Sequence, residues 1–391
     1  MKNSRTFYIS FLVLAALILN FGFSKLLGEE MNPAVRLIGT ILILVIGAIF
    51  VLKGCADIIE ETTDVLSKKT KLAGGFLQSI GTAFPDMALG IVAALVSLQL
   101  RQTNYPMAVS FAIIAAATTF GSNIYNIAYS TWCIFRQNTA NRLNQKIFMF
   151  PFLKKAGSVK PLTEHVVKPT LPELDVAIDV LTALTVITAI VAVSMVLFGR
   201  VINPPVGTSG DLYQLIRPVG IFILLISVVI IYRFRKTRRT VGTSEEKIEE
   251  KKYYTDKPNL TIFIHLLFSG VAILFAAEAM VHAVQVFSEI SHLPVVIAGV
   301  LAGVIGCLGE IIVIHNYSVN PNGRIADALV GVAMDNIVTT IGASIVAIMG
   351  GIFLGGNALI LIFVIILTLN TVLIWQISRL KNFLFVILSP Q

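Results

Sequence analysis

Three carboxylates stand inside long apolar stretches of this chain: Asp86, Glu310 and Asp335. Ionisable groups in such surroundings are costly, and by default they mark a functional site. Oxygen-bearing neighbours recur at helical spacing. Thr82 precedes Asp86 by four residues, Ser122 and Asn126 are four apart, and so are Asp335 and Thr339. That spacing puts each pair on one helix face. Collected on one point, the set is all oxygen and hard, which suits calcium or sodium and does not suit zinc or copper. Two or three carboxylates balance a divalent ion, or the same number of monovalent ions or protons. Cations competing for one set of carboxylates give exchange a simple physical basis. Against this, single Ser and Thr residues in apolar helices commonly make helix–helix or backbone contacts. Asn123 and Asn336 could equally cap or brace helices. Cys307 reads as packing, and Lys53 and Glu278 as structural charges. His265, His282 and His292 have no partner spacing and are assigned nothing.

The elements that must position these residues follow from composition. Of 391 residues, 56% are hydrophobic and 13% charged, with a mean hydropathy of +0.84. Soluble domains carry about 25% charged residues, so an ordinary soluble enzyme is excluded. Ten apolar segments stand out, at about 7–27, 34–55, 73–98, 106–133, 176–198, 214–234, 260–285, 294–316, 325–352 and 356–378. Each approaches or exceeds the roughly 20 residues that cross a bilayer as a helix, and in lipid the backbone must satisfy its own hydrogen bonds. The expectation is an all-α polytopic membrane protein of about ten transmembrane helices. Cys55, Cys133 and Cys307 lie in or beside apolar runs, so no disulfide framework or zinc pattern is visible. Lys2 and Arg5 precede the first segment without a clear cleavage site, which reads as a retained span.

The net charge is +8, and its distribution sets orientation. With the N-terminus in the cytoplasm, the inner connections hold Lys68, Lys69 and Lys71, then Arg136 to Lys168, then Arg235 to Lys257, then Arg324, Arg379 and Lys381. The outer ones hold little beyond Lys25, Arg36, Arg101 and Arg200. This positive-inside pattern explains the basic balance without nucleic acid. The partners expected are the lipid bilayer and inorganic cations, with no resident cofactor. Residues 235–258 read as a charged loop between two halves, whose basic start could meet anionic lipid.

An internal repeat is also present. GFLQSIGTAFPD at 75–86 parallels GVLAGVIGCLGE at 299–310, with Gly75 against Gly299, Leu77 against Leu301, and acid against acid at Asp86 and Glu310. FVLKGCAD at 50–57 precedes the first copy as FAAEAMVH at 275–282 precedes the second. GSNIYN at 121–126 follows the first and MDNIVTT at 334–340 the second. The copies lie in the third and eighth segments. An odd separation implies opposite orientations, the inverted-topology arrangement of many secondary transporters, whose sites lie near the midplane. Gly81, Pro85, Gly306 and Gly309 would loosen these helices and free carbonyls.

At these residues the sequence resembles the calcium/cation antiporter superfamily, whose best-known members are sodium/calcium exchangers. That family carries two inverted repeats, with GTSLPE- or GTSxPD-like and GSNIxD/N-like motifs on successive helices. GTAFPD at 81–86 and GSNIYN at 121–126 match the first repeat. The resemblance implies that Asp86 is the principal carboxylate ligand, with Thr82, Ser122 and Asn126 as oxygen donors beside it. The second repeat departs from the pattern. Glu310 keeps the acid, but Gly309 stands for proline, Cys307 for serine and Gly306 for threonine. Asp335-Asn336-Ile337 stands where SNI is expected, and Thr339 where the last Asp or Asn would fall. A carboxylate has moved one helical turn.

The resemblance covers about residues 34–378 and implies inverted-topology repeats of the sodium/calcium exchanger type. It divides the chain into an extra N-terminal helix (1–33), a first repeat half (34–234) with a cytoplasmic insertion (134–175), the charged cytoplasmic loop (235–258), and a second half (259–391). Only FLFVILSPQ follows the tenth segment, so the final helix of the second half reads as truncated. The function expected is exchange of calcium for sodium by alternating access, not enzymatic catalysis, in the plasma (cell inner) membrane. The alternatives are a cation/proton antiporter, an exchanger of another cation, a transport-inactive relative, and an intramembrane aspartyl hydrolase using Asp86 with Asp335. The YD and GxGD motifs expected of the last do not occur around these residues.

Overall fold

The computed structural model describes residues 4–70, 76–164, 168–202, 211–240, 253–320 and 325–388; within these, the side chains of 4, 64, 67–70, 76–82, 234–240, 309 and 326–328 lie outside the description. Twelve helices are described: α1 Ser4–Leu17, α2 Pro33–Val45, α3 Lys53–Thr70, α4 Phe76–Leu100, α5 Tyr105–Leu143, α6 Leu171–Phe198, α7 Arg217–Thr240, α8 Asn259–Ser291, α9 Val295–Gly306, α10 Leu308–Val319, α11 Ile325–Met349 and α12 Gly356–Leu388. Short strands β1 Ile147–Phe148 and β2 Ser158–Val159 pair with each other, as do β3 Leu212–Gln214 and β4 Phe353–Gly355. Eight helical segments among the described residues are long and apolar enough to cross a membrane, and the pair α9–α10, bent by 52°, makes a ninth. The protein is an integral membrane protein built of helices.

Local chemistry sets the boundaries. Asn32 caps α2 by accepting from the Ala34 amide at 3.0 Å, and Asn104 caps α5 by accepting from Met107 at 3.2 Å. Each is followed by proline or by Tyr-Pro, whose fixed φ suits the first helical turn. At the start of α6 the Thr170 amide donates to Glu173 at 2.9 Å. α5 ends in left-handed Asn144, φ 49°, a conformation that amide side chain tolerates.

Several expected boundaries move. The first segment continues past α1 through a π turn (Ile18–Gly22) and a 3-10 turn (Phe23–Leu27). The second runs on through a π turn (Ile46–Leu52) into α3, as far as Thr70. α5 reaches Leu143, so the first ten residues of the stretch read as an irregular insertion are helix, and the β1–β2 hairpin follows. FLFVIL does not stand apart as a remnant, because α12 carries it as its last turns to Leu388. Arg379 and Lys381 do not stop the helix. The Arg379 guanidinium lies over the Trp375 ring at 5.0 Å, and the Lys381 ammonium pairs with Asp175 of α6. Residues 241–252 of the charged loop lie outside the described residues.

α1, α2 and α3 pack on α8, and α3 and α8 pack in turn on α4; α5 is central and packs on α4, α9 and α12, while α11 packs on α4, α6 and α7. Small residues let α5 and α9 approach closely, as membrane helices without a hydrophobic drive between them require. A Cβ on Gly299 would meet Ala117, and one on Gly303 would meet the Ser122 amide at 2.8 Å. Glu278 accepts a hydrogen bond from Asn20 of the first segment at 2.8 Å. His265, given no partner from the sequence, contacts Thr6 Oγ1 at 3.2 Å and Tyr254 Oη at 3.0 Å. The signal was unreadable because those partners lie 259 and 11 residues away.

Candidate functional site

The site forms where α4, α5, the α9–α10 break and α11 meet. Asp86 is one residue past Pro85 inside α4. Proline has no N–H to give the carbonyl one turn back, so an oxygen near residue 81 is released while the helix stays continuous. The second copy behaves differently. Its helix breaks, α9 ending at Gly306 and α10 starting at Leu308. Glu310 lies in the first turn of α10, where the positive end of the helix dipole favours a carboxylate.

The side chains are buried: Asp86 is 3% exposed, Glu310 4% and Asp335 7%. Ser122, Asn126 and Thr339 are buried with them. The Asn126 amide donates to Glu310 Oε2, joining α5 to α10. The Ser122 hydroxyl lies beside the Asp86 carboxylate and also reaches the Thr119 carbonyl at 3.0 Å. Asp86 and Asp335 are both within electrostatic reach of Glu310. Thr339 Oγ1 donates to the Asp335 carbonyl at 2.9 Å, leaving its oxygen as an acceptor. Thr82 lies on α4, but its side chain falls outside the described residues.

The cluster has unmet acceptor capacity. Asp86 Oδ2, Glu310 Oε1 and Asn126 Oδ1 are buried without a hydrogen-bond partner among the described residues. Buried polar atoms are nearly always paired, and an unpaired buried carboxylate is expensive. A cation relieves all of these groups at once. Yet no three His, Cys, Asp or Glu residues converge among the described residues closely enough to hold a metal by themselves. Any ion here therefore needs neutral oxygens as well as carboxylates. Asn336, weighed from sequence as a brace, has both polar side-chain atoms buried without a partner among the described residues, and so has Asn123 its Oδ1. Both follow directly the site residues Asp335 and Ser122 in sequence, the one signal that could have singled them out. Cys307 is buried at the helix break, its thiol 3.4 Å from the Val304 carbonyl.

No family model matches the sequence, and no curated protein matches it. Solved structures do. The structure titled as the H+/Ca2+ exchanger CAX aligns over 98% of this chain and 89% of its own, at 13% identity and a TM-score of 0.58. The structure of native YfkE aligns over 97% of each chain, at 14% identity and a TM-score of 0.52. The sodium-calcium exchanger NCX_Mj is also found, over 91% of this chain and 99% of its own, at 13% identity and a TM-score of 0.43. The chain therefore shares the fold of the CAX and YfkE structures.

Proposed function

We propose that this protein is a secondary antiporter that exchanges calcium for sodium by alternating access around the Asp86–Glu310 cluster. The observation that carries the reading is the pair of buried carboxylates from the two repeat copies, each with an oxygen lacking a partner among the described residues. Bare, the pair is two charges in low dielectric, and moving it between access states is costly. Filled by one calcium ion, or by a compensating number of sodium ions, it is neutralised and the switch becomes accessible. Asp335, one turn before Thr339 on α11, assists from the second copy. The charge asymmetry of the connections supports a cytoplasmic N-terminus, and the membrane proposed is the plasma membrane of the cell. The halves are 34–234 and 259–391, with 1–33 as an added helix.

A second reading replaces sodium by protons. The likeness to a structure titled as an H+/Ca2+ exchanger supports it, and carboxylates neutralised by protonation would pass the same electrostatic barrier. The test is calcium uptake into proteoliposomes driven by an opposing sodium gradient or by a proton gradient. Sodium-driven uptake establishes the first reading. Uptake driven only by protons establishes the second. Neither, in folded protein, refutes calcium exchange.

A further inference from the structure

A small cavity of about 20 Å³, room for roughly one water-sized guest, lies between α5, α6, α7, α11 and α12. Five polar side chains line it: Thr119 and Asn123 of α5, Thr188 of α6, and Thr340 and Ser344 of α11. The rest of the wall is apolar, and no carboxylate reaches it.

The hydrogen bonding of these residues is one-sided. Thr119 donates to the Ala115 carbonyl at 2.8 Å, Thr188 to Leu184 at 2.8 Å, Thr340 to Asn336 at 2.7 Å and Ser344 to Thr340 at 2.8 Å. A hydroxyl has one proton. With that proton spent on its own helix, each can only accept from a guest. Asn123 is 6% exposed and its Oδ1 has no partner among the described residues. The chamber is therefore lined by acceptors and demands a guest that donates or is positive. A water molecule donates two hydrogen bonds, fewer than the oxygens present. A compact cation can engage them together. Without a carboxylate in the wall, a divalent charge would be uncompensated.

We propose that this chamber is a neutral binding site for one small monovalent cation of the sodium class, separate from the carboxylate cluster. It lies against the helices that carry that cluster. Thr119 Oγ1 occupies the space a Cβ on Gly90 would need, and Gly90 is one turn past Asp86 on α4. Asn123 and Thr340 directly follow Ser122 and Thr339. Charge on Asp86 and Glu310 thus attracts the ion without ligating it. The ion's part in transport rests on the exchange reading above; its binding does not.

The test is thermal unfolding of the purified protein in sodium chloride, titrated against N-methylglucamine chloride at constant ionic strength. Binding to the folded state alone stabilises it by RT ln(1 + c/Kd) at sodium concentration c, so the melting temperature rises with sodium and the half-saturating concentration follows from the fit. Asp86→Asn with Glu310→Gln removes the carboxylate site. The expected result is a sodium-dependent rise that survives in this double variant and disappears when Asn123→Leu is added. Thr340→Val in the same background should raise the half-saturating sodium roughly tenfold, the loss of one liganding oxygen, and it carries the comparison if Asn123→Leu does not fold. A double variant without a sodium response, or a response unchanged by both chamber substitutions, overturns the site and leaves a water pocket. Sodium binding retained in a protein that moves no calcium would support the chamber while refuting the exchange reading.

Discussion

Oδ1 of Asp86 occupies the space that a side chain on Gly306 would need. The two residues belong to opposite repeat copies, and 306 is the position where the motif of the first copy has Thr82. The second copy has no hydroxyl there, and the carboxylate of the first lies in the volume such a side chain would fill. Gly306 is also the last residue of α9 before the break, so the backbone and the acid meet at one point. Restoring the side chain should therefore harm the site. Gly306→Thr is expected to lower cation uptake by roughly 100-fold, since even a 1 Å misplacement of a functional group can cost that much. Gly306→Ala should fall between it and the parent. The check is calcium flux in proteoliposomes, alongside a size-exclusion profile showing the protein intact. Unchanged flux in Gly306→Thr would mean that Asp86 does not work from this position.

Substituting the acids themselves separates function from stability. Asp86→Asn and Glu310→Gln should each abolish exchange. Each should also leave the empty protein as stable as the parent or more so, because an uncompensated buried charge is itself costly and the neutral amide removes that cost. Flux and melting temperature in the absence of calcium and sodium report the two effects independently. A variant that loses flux together with its fold would show that these acids hold the structure, not the ion.

Asn126 tests how the neutral ligands contribute. Its amide donates to Glu310 Oε2, while its own Oδ1 is unpaired. Asn126→Leu removes both the donor and the acceptor and leaves Glu310 without the one partner identified for it. Hydrogen bonds to charged groups are worth about 1.5–3 kcal/mol, so the concentration of calcium giving half-maximal uptake should rise roughly 10- to 100-fold. Asn126→Asp keeps an acceptor and adds a charge. It should favour divalent over monovalent ions, read as the ratio of calcium to sodium needed for half-competition.

These expectations draw on features of unequal visibility in the sequence. Asp86, Glu310 and their four-residue partners were legible because a charge in an apolar run is rare and helical spacing is fixed. The modest match between GFLQSIGTAFPD at 75–86 and GVLAGVIGCLGE at 299–310 was enough to propose two copies. What escaped were features decided by distant contacts. Gly306 and Gly309 marked this stretch as loosened, but that the helix breaks outright after Gly306 with the Asp86 carboxylate against the break was not readable. β3 and β4 pair Leu212 with Gly355 and Gln214 with Phe353, and strands of three residues so far apart leave no periodic trace. Arg101 was read only as an outer charge, yet its guanidinium donates to the Gly350 carbonyl and lies over Phe353 at 5.7 Å. Asn123 and Asn336 were weighed as braces, and only burial revealed their unpaired atoms.

The last contrast concerns α11, where a carboxylate at 335 stands one turn from Thr339. If Asp335 has taken over a ligand's role, the two positions should respond very differently. Thr339 spends its proton on the Asp335 carbonyl at 2.9 Å, so it offers an ion one neutral lone pair. Thr339→Val keeps the shape and removes that oxygen; a loss near 1 kcal/mol predicts a shift of about fivefold in half-maximal calcium. Asp335 lies within electrostatic reach of Glu310, and its charge contributes to the total that a divalent ion balances. Asp335→Asn should therefore cost calcium at least tenfold while altering sodium competition less, because a divalent ion feels each removed charge twice as strongly. Competition curves for both ions in the two variants provide the measurement. Equal, small effects at 335 and 339 would remove Asp335 from the site and leave Asp86 and Glu310 as its whole charge.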